Sequence, residues 1–272
     1  MYRRLIYLTV LLFLCSCERV IELDLKGVDA KYVVEGTLSD RAGDCRVLIT
    51  QTKDFDQNND FPGVQGALVY IRIHGDNPAS TPGDTVHLTE TEPGVYEAPA
   101  FAGMSGETYT LEVALDESRF TATSTMPAKV NLDTLYVTNE NYFGETWKLA
   151  NLILPDPAGV ENFYRCIQYI NGKKSEQLFL LDDDLVDGLD FESKLYMDPG
   201  LDDDERIHSG DSLTVELLCI DRAVYKYWMS LDQSSRGNGS PITPANPVSN
   251  LRGGALGYFS AHTTQSRTIV VP

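Results

Sequence analysis

The sequence predicts a mainly β protein. A β-sandwich is expected over residues 28–128, then a second β-rich domain over residues 129–272 with one amphipathic helix near residues 221–235. Three observations carry this. Short runs rich in Val, Ile, Thr, Tyr and Phe recur, each bounded by Gly, Pro, Asp or Asn; branched and aromatic side chains pack well on a pleated surface, so such runs read as strands. Pro127 breaks the first series and places a boundary near Met126 to Lys129. Past Ile220 the apolar spacing moves from about two residues to about 3.6, the period of a helix face.

In chain order the first element is an export signal over residues 1–16. Tyr2-Arg3-Arg4 is basic, Leu5 to Leu14 is apolar except for Thr9, and Leu14-Cys15-Ser16-Cys17 closes the segment. The apolar run is half the ~20 residues a helix needs to cross a bilayer, so it is not read as a lasting span. Leucine three residues before the cut and serine directly before it match a lipobox. Only a thiol takes a diacylglyceryl group as a thioether, which makes Cys17 the expected lipidation site. At ~0.8 kcal/mol per buried CH₂, two or three palmitate-like chains hold a protein on a membrane where one does not. The plainer alternative is an ordinary signal peptide with an incidental cysteine. Residues 17–27 read as the lipidated tether. Glu18, rather than Asp, after the cysteine fits delivery to the outer membrane and leaves open which face the protein occupies.

Seven strand-like runs follow: Tyr32 to Leu38, Arg46 to Thr52, Ala67 to His74, Thr85 to Thr89, Gly94 to Ala98, Tyr109 to Ala114 and Arg119 to Ser124. Seven short runs in about 100 residues suggest a sandwich. In the second half, Leu132 to Val137, Trp147 to Leu154, Phe163 to Ile170, Gln177 to Leu181 and Ser212 to Ile220 are strand-like. Asn171-Gly172 between two of them is a hairpin signal, because both residues tolerate positive φ. Asp221 then caps a helix whose Val224, Tyr227, Trp228 and Leu231 form one apolar stripe, read as packing against a sheet.

Composition narrows the partners. The chain has 22 Lys+Arg against 40 Asp+Glu, a net charge of −18. A surface this acidic repels phosphate backbones, so nucleic acid is not expected as a partner. Cys15 leaves with the signal and Cys17 is acylated, so Cys45, Cys166 and Cys219 remain. An odd count precludes full pairing within one chain. Cys166 and Cys219 lie in apolar runs and either pair or pack as buried thiols.

The lipobox, Val33-Val34-Glu35-Gly36, Gly66-Ala67-Leu68-Val69, Gly94-Val95-Tyr96, Gly106-Glu107-Thr108-Tyr109 and the late block from Pro244 to Ala261 together carry a resemblance. The chain resembles the Bacteroidetes outer-membrane lipoproteins grouped as domain of unknown function 4249. That resemblance implies an immunoglobulin-like or transthyretin-like fold for the N-terminal sandwich and an accessory role beside a TonB-dependent transporter. It implies no catalytic residue. The late block itself, with Pro244, Pro247, Gly253, Gly254 and Gly257, reads either as a closure of the second domain or as a partner-facing loop.

Candidate chemistry is sparse. Asp54, Asp56, Asn58 and Asp60 alternate oxygen side chains as a calcium loop would, but Asn59 and Gln65 stand where an EF-hand needs Gly and Glu. Asp182-Asp183-Asp184 and Asp202 to Glu205 are acidic runs that read as solvated loops or cation collectors. None of His74, His87, His208 and His262 has the close spacing of a helical zinc motif; His74 and His87 could meet across a hairpin, but two ligands without a third do not make a metal site. Ser260 and His262 point the same way on a strand, without a nucleophile elbow. No cofactor is implied. The expectation is a non-enzymatic outer-membrane lipoprotein that assists a TonB-dependent transporter. The alternatives are a surface adhesion module for glycans or proteins, for which Asn141-Tyr142-Phe143 offers stacking rings, and a hydrolase.

Overall fold

The computed structural model describes residues 30–53, 61–75, 84–142, 144–184, 188–235 and 246–272. The segments read as export signal and tether, with Cys17, and the Asp54, Asp56, Asn58, Asp60 run lie outside the described residues, as does Phe143.

The seven runs of the first half form β1 (Tyr32–Ser39), β2 (Arg46–Gln51), β3 (Leu68–His74), β4 (Thr85–Glu92), β5 (Val95–Glu97), β6 (Thr108–Leu115) and β7 (Ser118–Thr125). The second half gives β8 (Thr134–Tyr142), β9 (Glu145–Pro155), β10 (Phe163–Ile170), β11 (Lys173–Lys174), β12 (Phe179–Asp182), β13 (Asp190–Lys194) and β14 (Ser212–Ile220). Helix α1 (Arg222–Ser235) and strands β15 (Leu251–Arg252) and β16 (Leu256–Val270) complete the order. The protein is mainly β, with one α-helix among the described residues.

One large sheet runs β11-β10-β14-β16-β1-β2-β5-β4-β3-β6-β7-β15, with β12 also on β10; β13-β9-β8 form a second, smaller sheet. Alternation decides which side chains go inside. β6 buries Tyr109, Leu111, Val113 and Leu115, while β1 sends Val34 and Leu38 inward and β2 sends Val47 and Ile49. These meet in a first core, each large side chain contributing roughly 1.5–3 kcal/mol by leaving water. A second core lies between the three-stranded sheet (Leu149, Leu152, Leu154) and β10 and β14 (Tyr164, Cys166, Val215, Leu217).

Buried tyrosines explain two of the sequence motifs. The Tyr96 hydroxyl accepts from the Ala67 N–H and donates to the Val64 carbonyl, both at 2.9 Å. The Tyr109 hydroxyl accepts from the Met104 N–H at 2.7 Å. Each ring thus fills the core while its polar tip secures a loop. Glu90 accepts from the Gly66 and Gly94 N–H groups, and those bonds hold its carboxyl below the usual carboxylate range.

The hairpin signal is realised: Asn171 (φ 52°) and Gly172 (φ 81°) turn β10 into β11, with Ile170 opposite Lys173. Asp221 caps α1, its Oδ1 accepting the Val224 N–H at 2.9 Å. Val224, Tyr227, Trp228 and Leu231 pack on the sheet beside Phe163, Leu218 and Tyr258, and Tyr225 joins them.

Strand pairing crosses the boundary expected near residue 128. The last fifteen-residue strand, β16, belongs to both halves. Leu256 to His262 pair parallel with Val33 to Ser39 of β1, and Thr263 to Val270 pair antiparallel with β14. Ala255, Phe259 and Ala261 lie in the first core, and β15 pairs with β7. The described part of the late block therefore closes the first core rather than the second. Its backbone approach is close: a Cβ on Gly257 (φ 100°) would stand 2.1 Å from the Val34 carbonyl oxygen. On Gly36 it would stand 2.9 Å from the Phe259 ring. Both glycines are required by the strand that crosses between halves.

Candidate functional site

Where β16 changes partner, one sheet face carries polar side chains beside the apolar core. Tyr258, Ser260, His262 and Thr264 share that face by alternation, since Phe259 and Ala261 point into the first core. Helix α1 covers the Tyr258 end. The remainder opens into a groove of about 350 Å³, within the usual range for small-ligand sites. Arg41, Arg46, Arg165, Lys174, Glu216 and His262 line it. A second groove of about 630 Å³, between α1 and the segment leading to β12, shares Arg165 and Lys174 with the first.

The carboxylates here are already engaged. Glu216 receives Arg41 at 2.7 Å and the Thr264 hydroxyl at 3.0 Å, and Asp44 receives Arg41 at 3.1 Å and the Ser39 hydroxyl at 2.7 Å. Asp40 accepts the Thr264 N–H at 2.9 Å and pairs with Lys129 at 3.0 Å, fixing the strand just past the crossover. Arg46 lies 3.6 Å from Glu97.

Arg165 is different. It projects from the middle of β10, half-buried, with its guanidinium 3.6 Å over the Trp228 ring and hydrogen-bonded to Tyr258. No salt bridge reaches it among the described residues, and its buried Nε meets no acceptor. Burial pulls its proton affinity down, and burial pushes the Tyr258 phenol up to about 12.

The sequence-predicted residues fare unevenly. Ser260 and His262 are brought together, Oγ to Nδ1 at 3.0 Å, but are only 3% and 7% exposed. The ring also bonds the Ser260 backbone, and no carboxylate among the described residues hydrogen-bonds it. Burial lowers the His262 pKa to about 4, so the imidazole is neutral at pH 7. A buried hydroxyl and a buried imidazole, with no orienting acid among the described residues, lack the arrangement of a hydrolytic triad.

His74 and His87 do not meet: His87 stands opposite Tyr70, and His74 bonds the Thr110 hydroxyl at 3.0 Å. Asp182 accepts from the Tyr225 hydroxyl at 2.6 Å, and Asp183 accepts the Asn162 N–H at 2.8 Å, so this acidic run is partly structural. Asp203 to Glu205 form a 3₁₀ turn in which Asp204 meets Lys173 at 3.5 Å and Asp203 faces His208. Among the described residues no cluster of three or more His, Cys, Asp or Glu is placed to hold a metal ion. Cys45, Cys166 and Cys219 are free buried thiols, and burial raises all three pKa values. Arg165 and Glu216 were missed by the sequence reading. Their signal was a charge in the middle of an otherwise apolar central strand.

Fold and groove together define a β-rich protein with an open groove at the seam of two cores. The chain belongs to the family described as Domain of unknown function (DUF4249), whose model matches residues 18–268. No curated protein matches it.

Proposed function

We propose that this chain is a non-enzymatic binding protein of the cell envelope, tethered through a lipidated Cys17 at the outer membrane and acting as an accessory to a TonB-dependent transporter. The observation that carries the binding role is the open seam groove, where charged and aromatic side chains converge without a nucleophile, base and acid in register. The tether rests on the lipobox, and the transporter on the resemblance drawn from the sequence motifs. Purification from detergent-solubilised outer membranes at native expression tests it: a large β-barrel receptor should come with the protein, and repeated recovery of the chain alone would contradict the reading. A surface adhesion role is the second reading. It draws on Trp228, which lines the larger groove. Glycan-array binding in the absence of a transporter partner would favour it.

A further inference from the structure

We infer that the seam groove is an oxyanion site, in which Arg165 receives a carboxylate or phosphate group of a small ligand, with Lys174 at the rim. The argument starts from charge. On a chain of net charge −18, four cations and only two carboxylates line this groove: Arg41, Arg46, Arg165 and Lys174 against Asp44 and Glu216. Both carboxylates are spent on Arg41, and Arg46 has Glu97. Arg165 and Lys174 are the pair that no salt bridge reaches among the described residues, and both face the groove.

A half-buried guanidinium with no carboxylate in direct contact is costly, because desolvation of the charge outweighs the more distant pull of Glu216. The fold nonetheless holds Arg165 rigidly, stacked on Trp228 and bonded to Tyr258. A planar fork fixed in this way is suited to two-point recognition of carboxylate or phosphate, and its low ordering cost favours binding. The neighbouring groove carries Glu176, Asp198 and Asp232. A ligand's anionic end is therefore directed to the seam side of Arg165, and any neutral or cationic part extends toward α1 and Trp228. His262 lines the same groove but, being neutral above its pKa of about 4, adds no charge near neutral pH.

Isothermal titration calorimetry on the detergent-solubilised full-length lipoprotein at low ionic strength tests this, with inorganic phosphate and glucuronate as separate probes. Saturable binding of either is expected, and which one binds more tightly assigns the source of the oxyanion. Arg165→Met should weaken binding at least tenfold while leaving the melting temperature unchanged or higher, since an uncompensated charge is removed. Lys174→Gln, on an exposed edge, should weaken it several-fold and reduce the salt dependence. Absence of heat for both probes at millimolar concentration would overturn the inference. So would binding unchanged in both variants.

Discussion

His262 shows how one buried side chain couples stability to acidity. Its ordinary pKa of 6.5 falls to about 4 in the fold because burial penalises the charged ring. The unfolded chain therefore takes up a proton below about pH 6.5 that the folded chain resists until about pH 4. Stability is fully present above the higher value and is lost as pH falls through the lower one. Glu216 and Asp44 favour the charged ring and Arg165 opposes it, without cancelling burial. Replacing His262 with Gln should flatten the acid limb by about 2 kcal/mol between pH 7 and 4.5 in urea titrations; an unchanged acid slope would show that the ring titrates normally. Asn250 makes a second residue-scale case. Its side chain accepts the Phe259 N–H at 3.0 Å and donates to the Phe259 carbonyl at 2.8 Å, standing in for a neighbouring strand where β14 has not yet begun. Asn250→Ala leaves both groups unmatched and should cost roughly 2–4 kcal/mol in denaturant unfolding, against well under 1 for a surface change. The late sequence block contained Asn250, but nothing in its spacing revealed the clamp, because the partner is backbone brought back by the turn at Gly253-Gly254.

At the scale of elements, what could be read was local. The seven strands of the first half, the Asn171-Gly172 turn and the cap of α1 each depend on residues a few positions apart, so their chemistry is visible in the sequence. Asp221 illustrates the limit. Its Oδ1 caps the helix, as read, yet its Oδ2 also takes the Ser124 hydroxyl at 2.5 Å, and that hydroxyl in turn accepts the Ala261 N–H at 2.9 Å. The cap is thus tied to β7 and β16. Asp221→Ala should cost about 2 kcal/mol, more than the ~1 kcal/mol of an ordinary cap, and the double change with Ser124→Ala should cost less than the sum of the two single changes. Independent, additive losses would mean the three elements are not coupled there. The site was harder to read than the strands. Arg165 and Trp228 stand 63 positions apart, and only the packing of α1 over β10 brings them into contact. His74 and His87 were misjudged for a related reason: register, which β-periodicity alone does not set, places His87 against Tyr70.

For the whole molecule, β16 is the decisive element. A strand that pairs with β1 over its first half and β14 over its second makes two cores share one backbone. Differential scanning calorimetry of the full chain should accordingly show a single cooperative transition, whereas two resolved transitions would mean the cores melt apart. The break at Pro127 carries no sign of this return, since contacts at such separation leave no mark on local composition. The same strand places the seam groove on a rigid junction rather than on a loop, which suits a binding role. The functional account finally depends on attachment at Cys17 and on what the tethered chain touches. Chemical crosslinking and pull-down of the native chain in intact membranes tests both together, alongside a Cys17→Ser chain. Adducts with a large β-barrel receptor, present for the native chain and lost with Cys17→Ser as it leaves the membrane fraction, are the predicted result. Membrane partitioning unchanged by Cys17→Ser, or the absence of any receptor adduct from the native chain, would contradict it.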